Sequence, residues 1–265
     1  MRIGVIGAGA IGRYLIEAVR AGRAGDHEIV VVGDIVPGLS LDGVPYTTDI
    51  RSLPSYGLDL VVEAAAQAAA REYAVPMLEA GLDVMIMSVG ALADEAFAER
   101  LRETARRVGR RVYIPSGALG GLDAVKAGLL SGLESVELVS TKPPVALQGA
   151  AYFDTHPVDW DAIRGPTVVY EGPAAEAVGY FPQNVNVAAV LSLAGVGPHK
   201  TRVRVVADPT ATTNQHSVRV KGGFGTLEVN LSNLPTPENP KTSWLAALAA
   251  VAMLRRLADP FQIGQ

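Results

Sequence analysis

The chain contains no cysteine among its 265 residues. This excludes a disulfide framework, a Cys-ligated zinc site and a thiol nucleophile. Aromatic residues are few at 6%, and charged residues amount to 19%. Lys and Arg number 23 against 27 Asp and Glu, for a formal net charge of −4. This mildly acidic balance argues against a nucleic-acid-binding surface as the main function.

Long uninterrupted apolar runs are also missing. The N-terminal run Ile3–Ile6 is followed by closely spaced glycines and Arg13, which is not the pattern of a signal peptide. The Ala-rich stretch 61–70 contains Glu63 and Gln67 and is too short and polar to span a bilayer. We therefore predict a soluble, cytoplasmic protein with no membrane partner, no nucleic-acid partner and no metal site. Absence of cysteine suits that reducing compartment.

The first half of the chain alternates between strand and helix patterns. Short apolar runs rich in β-branched residues are separated by segments with apolar residues at helical spacing. Strands separated by helices of ten or more residues indicate βαβ units and a parallel sheet. We predict a Rossmann-type α/β domain over residues 1–120. Its strands are predicted at 2–6, 28–32, 59–62, 83–87 and 111–115.

The pattern changes after about residue 120. A strand is predicted at 134–141, a long polar loop follows to 165, and 174–194 reads as one or two helices. Three strands then show period-two alternation with tight connections, which favours a mainly antiparallel sheet with one solvent-facing side. We predict a second, α+β domain over 121–242. The C-terminal helix, 243–265, is predicted to join the first domain.

A glycine-rich turn connects the first strand to the first helix. Residues 7–12 read Gly-Ala-Gly-Ala-Ile-Gly, the G-x-G-x-x-G pattern of dinucleotide-binding proteins. In that pattern the first glycine permits the turn, the second admits a pyrophosphate, and the third lets helix and strand pack closely. Amides at the helix N-terminus then receive the phosphates. We predict cofactor contacts at Gly7, Gly9, Ala10, Ile11 and Gly12.

An acidic residue follows the second strand. Asp34 lies 22 residues after Gly12, where a carboxylate accepts hydrogen bonds from the adenosine ribose hydroxyls. The same charge repels a 2′-phosphate, so NAD is favoured and NADP remains possible. Two further strand ends carry the small residues Ala65 and Ser88. Ligands bind beyond the carboxyl ends of parallel strands, so we predict that both also line the cofactor site.

The chain has four histidines. Oxidation of a carbon that bears a hydroxyl or amino group needs a base, and histidine suits that role near neutral pH. His27 precedes the second strand, far from any carboxyl end, and His199 begins a strand. His156 lies in the long loop 143–165, which could form a lid, and His216 begins another strand. From the residues alone, His156 and His216 are equally good candidates.

Five segments together carry a resemblance to a known family: 7–12, Pro115–Asp123, Phe181–Ala188, Asn214–His216 and Glu238–Ser243. Over nearly its full length the chain resembles the L-aspartate dehydrogenase family. Many dehydrogenases share the glycine motif, whereas the other four segments in combination are much more specific.

The resemblance implies an activity and a set of site residues. The implied reaction is the NAD(P)-dependent oxidative deamination of L-aspartate to iminoaspartate, then oxaloacetate and ammonia, or the reverse amination, linked to NAD biosynthesis. His216 is implied as the catalytic residue. The Ala118 amide and Asn186 are implied to contact NAD near the nicotinamide. The resemblance also implies that the second domain, 121–242, holds the substrate and that a homodimer is built largely through it.

Three residues before the last helix suit one carboxylate of such a substrate. L-Aspartate carries two carboxylates, which need cationic or hydroxyl partners. Lys241, Thr242 and Ser243 stand where helix amides and the helix dipole also attract an anion. We predict that they bind the substrate. Simple capping of the last helix is the alternative interpretation.

Two other functions remain open at this stage. One is a related two-domain nicotinamide oxidoreductase, such as a homoserine dehydrogenase-like or dihydrodipicolinate reductase-like enzyme. A dihydrodipicolinate reductase-like enzyme is expected to have two adjacent histidines with a nearby lysine. This sequence has no adjacent histidines. The other is a non-catalytic NAD(H) sensor.

Overall fold

The computed structural model describes residues 1–39, 41, 43–181, 185–236 and 239–263, without the side chains of residues 185 and 239–242. The chain divides into two compact units. Unit 1 comprises Met1–Gly117 and Ala246–Gln265, and unit 2 comprises Ala118–Leu245.

The sheet of unit 1 is parallel at every pairing. Its strands are β1 (Arg2–Ile6), β2 (Glu28–Gly33), β3 (Tyr46–Thr47), β4 (Leu60–Glu63), β5 (Asp83–Ile86) and β6 (Val112–Tyr113). They lie in the order β3-β2-β1-β4-β5-β6, which is the order of a doubly wound dinucleotide-binding sheet. The predicted Rossmann-type fold is therefore confirmed.

Helices α1 (Ala10–Arg20), α2 (Gln67–Glu79) and α3 (Glu95–Val108) belong to unit 1. In α1 the buried residues Leu15, Ile16 and Val19 recur at helical spacing, so one face packs on the sheet. At the start of α3 the Asp94 side chain accepts a hydrogen bond from the Phe97 amide, which satisfies one of the unpaired donors of the first turn.

Strand register brings the carboxyl ends of the central strands to one edge of this sheet. Ile6 at the end of β1 pairs with Gly33 on one side and with Glu63 on the other. Glu63 in turn pairs with Ile86 at the end of β5. The segments that follow these four strands therefore start side by side.

Unit 2 contains a mixed sheet that is mainly antiparallel. Its helices are α4 (Leu122–Gly128), α5 (Tyr152–Thr155), α6 (Ala174–Tyr180) and α7 (Val185–Ala194). Its strands are β7 (Leu133–Lys142), β8 (Thr167–Pro173), β9 (Thr201–Ala207), β10 (Asn214–Gly222), β11 (Gly225–Asn233), β12 (Pro235–Thr236) and β13 (Asn239–Ser243). The large sheet has the order β11-β10-β7-β9-β8, with β7 and β9 parallel and the other pairs antiparallel. The predicted second-domain fold is confirmed.

The two faces of this sheet differ as the period-two pattern predicts. The inner face carries buried valines and leucines such as Leu138, Val203 and Val218, which pack in one core with the apolar residues of α7. The outer face carries charged residues. There Glu137 of β7 pairs with Arg204 of β9 at 3.4 Å and with Arg219 of β10 at 3.9 Å.

The segment predicted as a long loop, 143–165, contains α5 and two short 3₁₀ turns at 144–146 and 160–162. Its aromatic side chains pack against the rest of unit 2: the Tyr152 ring lies edge-on to Tyr170, with centroids 5.1 Å apart. The strand β8 that follows was not among the predicted strands. It lies at the sheet edge with an irregular register against β9, so its alternation is weak.

The last helix, α8 (Trp244–Ala258), adds apolar residues to the core of unit 1. Leu254 belongs to the same cluster as Leu15 and Val19 of α1. The Nε2 atom of His27 lies 2.8 Å from the Leu254 carbonyl oxygen, so this histidine ties the helix to unit 1. Among the described helices none is long and apolar enough to cross a membrane.

Candidate active site

Two of the three motif glycines are required by the packing of the turn itself. Gly7 has φ +100°, and a Cβ there would lie 2.8 Å from backbone atoms of Ala65. A Cβ on Gly12 would lie 2.0 Å from the Gly7 carbonyl oxygen. Neither position can accept a side chain without movement of the backbone.

Packing among the described residues does not require the middle glycine. Gly9 has φ −74°, a value open to any residue. A Cβ on Gly9 would have no atom of the described part of the chain within 4 Å. Gly9 is also the N-cap of α1 and provides no side-chain cap, so the first amides of the helix are open to an anion. The absence of contacts at Gly9, at the start of α1, leaves room for the close approach of a pyrophosphate that the motif predicts.

Asp34 lies against the same turn. Its Oδ2 accepts a hydrogen bond from the Ala8 amide at 2.7 Å, and its Oδ1 accepts one from the Val36 amide at 3.0 Å. These bonds hold a half-buried carboxylate beside the glycine-rich turn, where the ribose of a bound NAD would present its hydroxyls. The residues present therefore fit the cofactor that the motif predicts.

A buried carboxylate organises the neighbouring strand ends. Glu63 is 1% exposed and accepts hydrogen bonds from the Ala65 amide at 2.9 Å, the Ser88 amide at 3.0 Å and the Ser88 hydroxyl at 2.8 Å. Burial raises the pKa of the Glu63 carboxyl, while hydrogen bonds from Ser88 and from the Ala65 and Ala66 amides act in the opposite direction. Hydrogen bonds to Glu63 thus connect the segments that follow β4 and β5.

Ala65 and Ser88, which both donate hydrogen bonds to Glu63, differ in their exposure. Ala65 is exposed, whereas Ser88 is buried and its hydroxyl is used by Glu63. All the residues predicted to bind cofactor in unit 1 thus lie at the carboxyl edge of its sheet. Their contacts with NAD stay predictions.

His216 lies near the start of β10, on the inner face of the unit 2 sheet. It is 5% exposed and continues the row of Val218 and Val220. Its partner across the β7–β10 pairing is Ser140, which is fully buried. A hydrogen bond of 3.0 Å joins the Ser140 Oγ to the Nδ1 atom of His216. The ring is held by Nδ1, which leaves Nε2 as the atom for proton exchange.

Lys142 follows two residues after Ser140 on the same inner face, and it is 4% exposed. Burial lowers the pKa of the Lys142 side chain to about 8. Burial and the positive charge of Lys142 together lower the pKa of His216 to about 4. The imidazole is therefore neutral at neutral pH and able to accept a proton.

Asn233 connects Ala118 to the same end of the sheet. Its side chain is buried, and its Nδ2 donates a hydrogen bond of 3.0 Å to the Ala118 carbonyl oxygen. Asn233 pairs with Asn214, two residues before His216. Ala118 and His216, which lie far apart in the sequence, are thus held at one end of one sheet. Asn186 is the second residue of α7 and its side chain is exposed.

The predicted substrate segment forms β13 and leads directly into α8. Ser243 pairs with Pro235, two residues beyond the end of β11, so it too lies at this end of the sheet. Its Oγ is buried and has no hydrogen-bond partner in the described part of the chain. The side chains of Lys241 and Thr242 lie outside the described residues.

The other histidines have different surroundings. His156 is exposed, and its ring stacks on Tyr152 with centroids 4.1 Å apart. His199 is also exposed and precedes β9. Of the two candidates left open by the residues, only His216 is buried next to another ionisable side chain.

Sequence reasoning missed several polar residues of these sites: Ser140, Lys142 and Asn233, and Glu63 as a hydrogen-bond acceptor. A signal for two of them was present. Val136, Leu138, Ser140 and Lys142 alternate along β7, so polar residues replace apolar ones on an inward row at its carboxyl end. No sequence pattern indicates Asn233, because its hydrogen-bond partner Ala118 lies in a distant segment of the chain.

A Rossmann-type unit with an open phosphate turn, followed by a unit with a buried neutral histidine, is the plan of a two-domain nicotinamide-dependent oxidoreductase. Two family models match the chain. Residues 7–115 match the NAD binding domain of homoserine dehydrogenase. Residues 123–257 match the C-terminal domain of aspartate dehydrogenase.

Similar proteins cover the whole chain. An L-aspartate dehydrogenase of Methanosarcina acetivorans is 42% identical over 272 residues, covering 100% of this chain and 99% of its own length. One of Methanocella arvoryzae is 44% identical, with 99% of each chain covered. The crystal structure of aspartate dehydrogenase from Thermotoga maritima matches with a TM-score of 0.80 at 31% identity, over 100% of this chain and 99% of that one.

The chain therefore belongs to the L-aspartate dehydrogenase family, and the resemblance inferred from the sequence is confirmed. A homoserine dehydrogenase from Thiobacillus denitrificans matches with a TM-score of 0.63 at 16% identity, covering 97% of this chain and 73% of that one. At that identity the likeness shows the fold alone.

Proposed function

We propose that this protein oxidises L-aspartate to iminoaspartate with NAD as the acceptor. The Cα–H bond breaks as a hydride, the amine loses a proton, and a C=N bond forms. NAD, when bound, takes the hydride. Water then converts the imine into oxaloacetate and ammonia, and the reverse amination follows the same steps backwards. The observation that carries the proposal is the buried imidazole of His216, held by Ser140, in a chain that belongs to the L-aspartate dehydrogenase family.

His216 acts as the base in this scheme. Its Nε2 accepts the proton lost by the substrate amine, or by the water that attacks the imine. The hydrogen bond between Nδ1 and Ser140 keeps the ring in one orientation during the transfer. The lowered pKa keeps the imidazole neutral before the transfer but also makes it a weaker base.

The two predicted domains have different roles in this proposal. Residues 1–120, with the C-terminal segment 243–265, hold the cofactor through the glycine-rich turn, Asp34, Ala65 and Ser88. Residues 121–242 hold the substrate and His216, with Ala118 and Asn186 at the nicotinamide. Support comes from the NAD-binding family model over 7–115 and from the room that Gly9 leaves at the start of α1.

Substrate binding is assigned to the segment before α8. We place one carboxylate of L-aspartate at Lys241, Thr242 and Ser243. The buried Ser243 hydroxyl supports this, because a buried donor needs an acceptor. The Asp34 carboxylate makes NAD the preferred cofactor over NADP. A homodimer, a cytoplasmic location and a link to NAD biosynthesis complete the proposal and rest on the family and composition.

Initial rates of nicotinamide reduction test the proposal. We expect turnover with L-aspartate and NAD, a lower rate with NADP, and no turnover with D-aspartate, L-glutamate or L-homoserine. Turnover of L-homoserine in place of L-aspartate would contradict the proposal and favour the homoserine dehydrogenase-like alternative. Tight NAD binding without turnover of any substrate would favour a sensor.

A further inference from the structure

Lys142 is a buried cation that the proposed proton transfer does not use. It is the last residue of β7, where it pairs with Ala207 of β9. Its carbonyl oxygen accepts a hydrogen bond of 2.9 Å from the Asp208 amide, which anchors the end of the strand. Strand alternation therefore sends the Lys142 side chain to the inner face, together with Ser140 and His216.

The position of this lysine suits an anionic ligand. Lys142 is buried on the same face as His216, and its positive charge acts on the neighbouring imidazole. Hydrogen bonds between an ammonium and a carboxylate are stronger than those between neutral groups, so a carboxylate beside His216 would interact favourably with Lys142.

We propose that the Lys142 ammonium binds a carboxylate of the amino-acid substrate, next to the imidazole of His216. This inference rests on the proposed function, since it takes the substrate to be a dicarboxylic amino acid. It adds a cation on a strand of the sheet to the carboxylate site assigned before α8. Two separate cationic positions match the two carboxylates of L-aspartate. The unit then recognises the substrate by charge as well as by size.

Lys142→Met tests this with a matched control. The control is Lys221→Met, which removes the same charge from β10 but on the exposed outer face. For Lys142→Met we expect the KM for L-aspartate to rise roughly ten- to hundredfold, with kcat less affected and the KM for NAD unchanged. Lys142→Arg should restore part of the affinity. Lys221→Met should leave all constants near the wild-type values.

A comparison of L-aspartate with L-alanine as substrates identifies which carboxylate Lys142 binds. If Lys142 holds the side-chain carboxylate, Lys142→Met narrows the preference for L-aspartate over L-alanine. If it holds the α-carboxylate, both substrates lose affinity alike. A fall in kcat with unchanged KM for both would overturn the proposal and assign Lys142 to proton transfer instead.

A binding measurement separates this inference from the proposed function. Titration of the wild-type protein with succinate, followed by the NMR signal of the His216 ring, needs no turnover. The signal is identified by its absence in His216→Asn. We expect succinate to shift it and to raise the pKa of His216, with a much weaker response in Lys142→Met. No shift in wild-type protein that does turn over L-aspartate would overturn the role of Lys142. A shift without turnover would sustain it and refute the proposed reaction.

Discussion

The two units each bury an ionisable group at the end of a sheet, but they satisfy it differently. In unit 1 the carboxylate of Glu63 accepts hydrogen bonds from nearby backbone amides and the Ser88 hydroxyl. In unit 2 the imidazole of His216 has one described hydrogen-bond partner, Ser140, and a cation beside it. Burial favours the neutral form of each.

This difference separates a structural group from a reactive one. The oxygens of Glu63 are occupied, so the group can only hold the strand ends in place. Within the described part of the chain, His216 is hydrogen-bonded through Nδ1 only, and Nε2 remains for a proton. A buried ionisable group that keeps an unused site is the better candidate for chemistry. The following substitutions test that comparison, from the largest expected effect to the smallest.

Replacement of His216 by Asn should have the largest effect. Without a base, kcat with L-aspartate should fall by roughly 10²–10⁴-fold, because Asn can hydrogen-bond but cannot take up the proton. NAD affinity, measured by fluorescence titration, should stay close to that of the wild type. Near-wild-type turnover in this variant would remove His216 from its role and return His156 as a candidate.

The motif glycines of unit 1 should separate into two kinds. Gly12→Ala should lower the free energy of unfolding by about 1–3 kcal/mol or more, because its Cβ meets the Gly7 carbonyl oxygen. Gly9→Val should leave the free energy of unfolding within about 1 kcal/mol of the wild type, because its side chain points into open space. NAD binding in Gly9→Val should nevertheless be strongly weakened.

Urea unfolding and NAD titration of both glycine variants check this. Equal NAD affinity in Gly9→Val and wild type would show that the pyrophosphate binds elsewhere.

Glu63→Gln should destabilise unit 1 by about 1–3 kcal/mol. In the wild type both oxygens of Glu63 accept hydrogen bonds, whereas the NH₂ group of Gln is itself a donor and would face one of the same donors. The raised pKa of Glu63 means that the folded state binds its proton more tightly than the unfolded state does. The stability contributed by this group is therefore present in acid and is lost as pH rises through the raised pKa. The stability difference between wild type and Glu63→Gln should shrink over that range.

Urea unfolding of both proteins at several pH values measures this difference. A difference that grows with rising pH would show that hydrogen bonds outweigh burial at Glu63.

We expect the smallest effect in the pH profile of kcat/KM. Because the pKa of His216 is lowered to about 4, kcat/KM should show no inflection near 6.5, the ordinary histidine value. Lys142→Met should move the acid limb to higher pH, because the repelling charge is gone. An inflection near 6.5 in wild type that disappears in His216→Asn would show that the imidazole is less buried than its surroundings indicate.

Much of unit 1 could be predicted from the sequence, because its site is built from local patterns. The turn 7–12 follows one strand and begins one helix, and Asp34 directly follows the next strand. Such motifs depend on neighbours in the chain, and their geometry follows from backbone chemistry. The period-two pattern likewise identified the inner face that carries His216.

The remaining features were decided by the tertiary structure. His216 rather than His156 is the buried histidine because β10 pairs with β7. This pairing forms the bond between His216 and Ser140, which lie 76 residues apart in the sequence. The pairing also brings Lys142 beside His216, and Asn233 reaches Ala118 across 115 residues. Burial and charge at these residues arise only when distant strands pack, because desolvation depends on what surrounds a side chain rather than on its place in the chain.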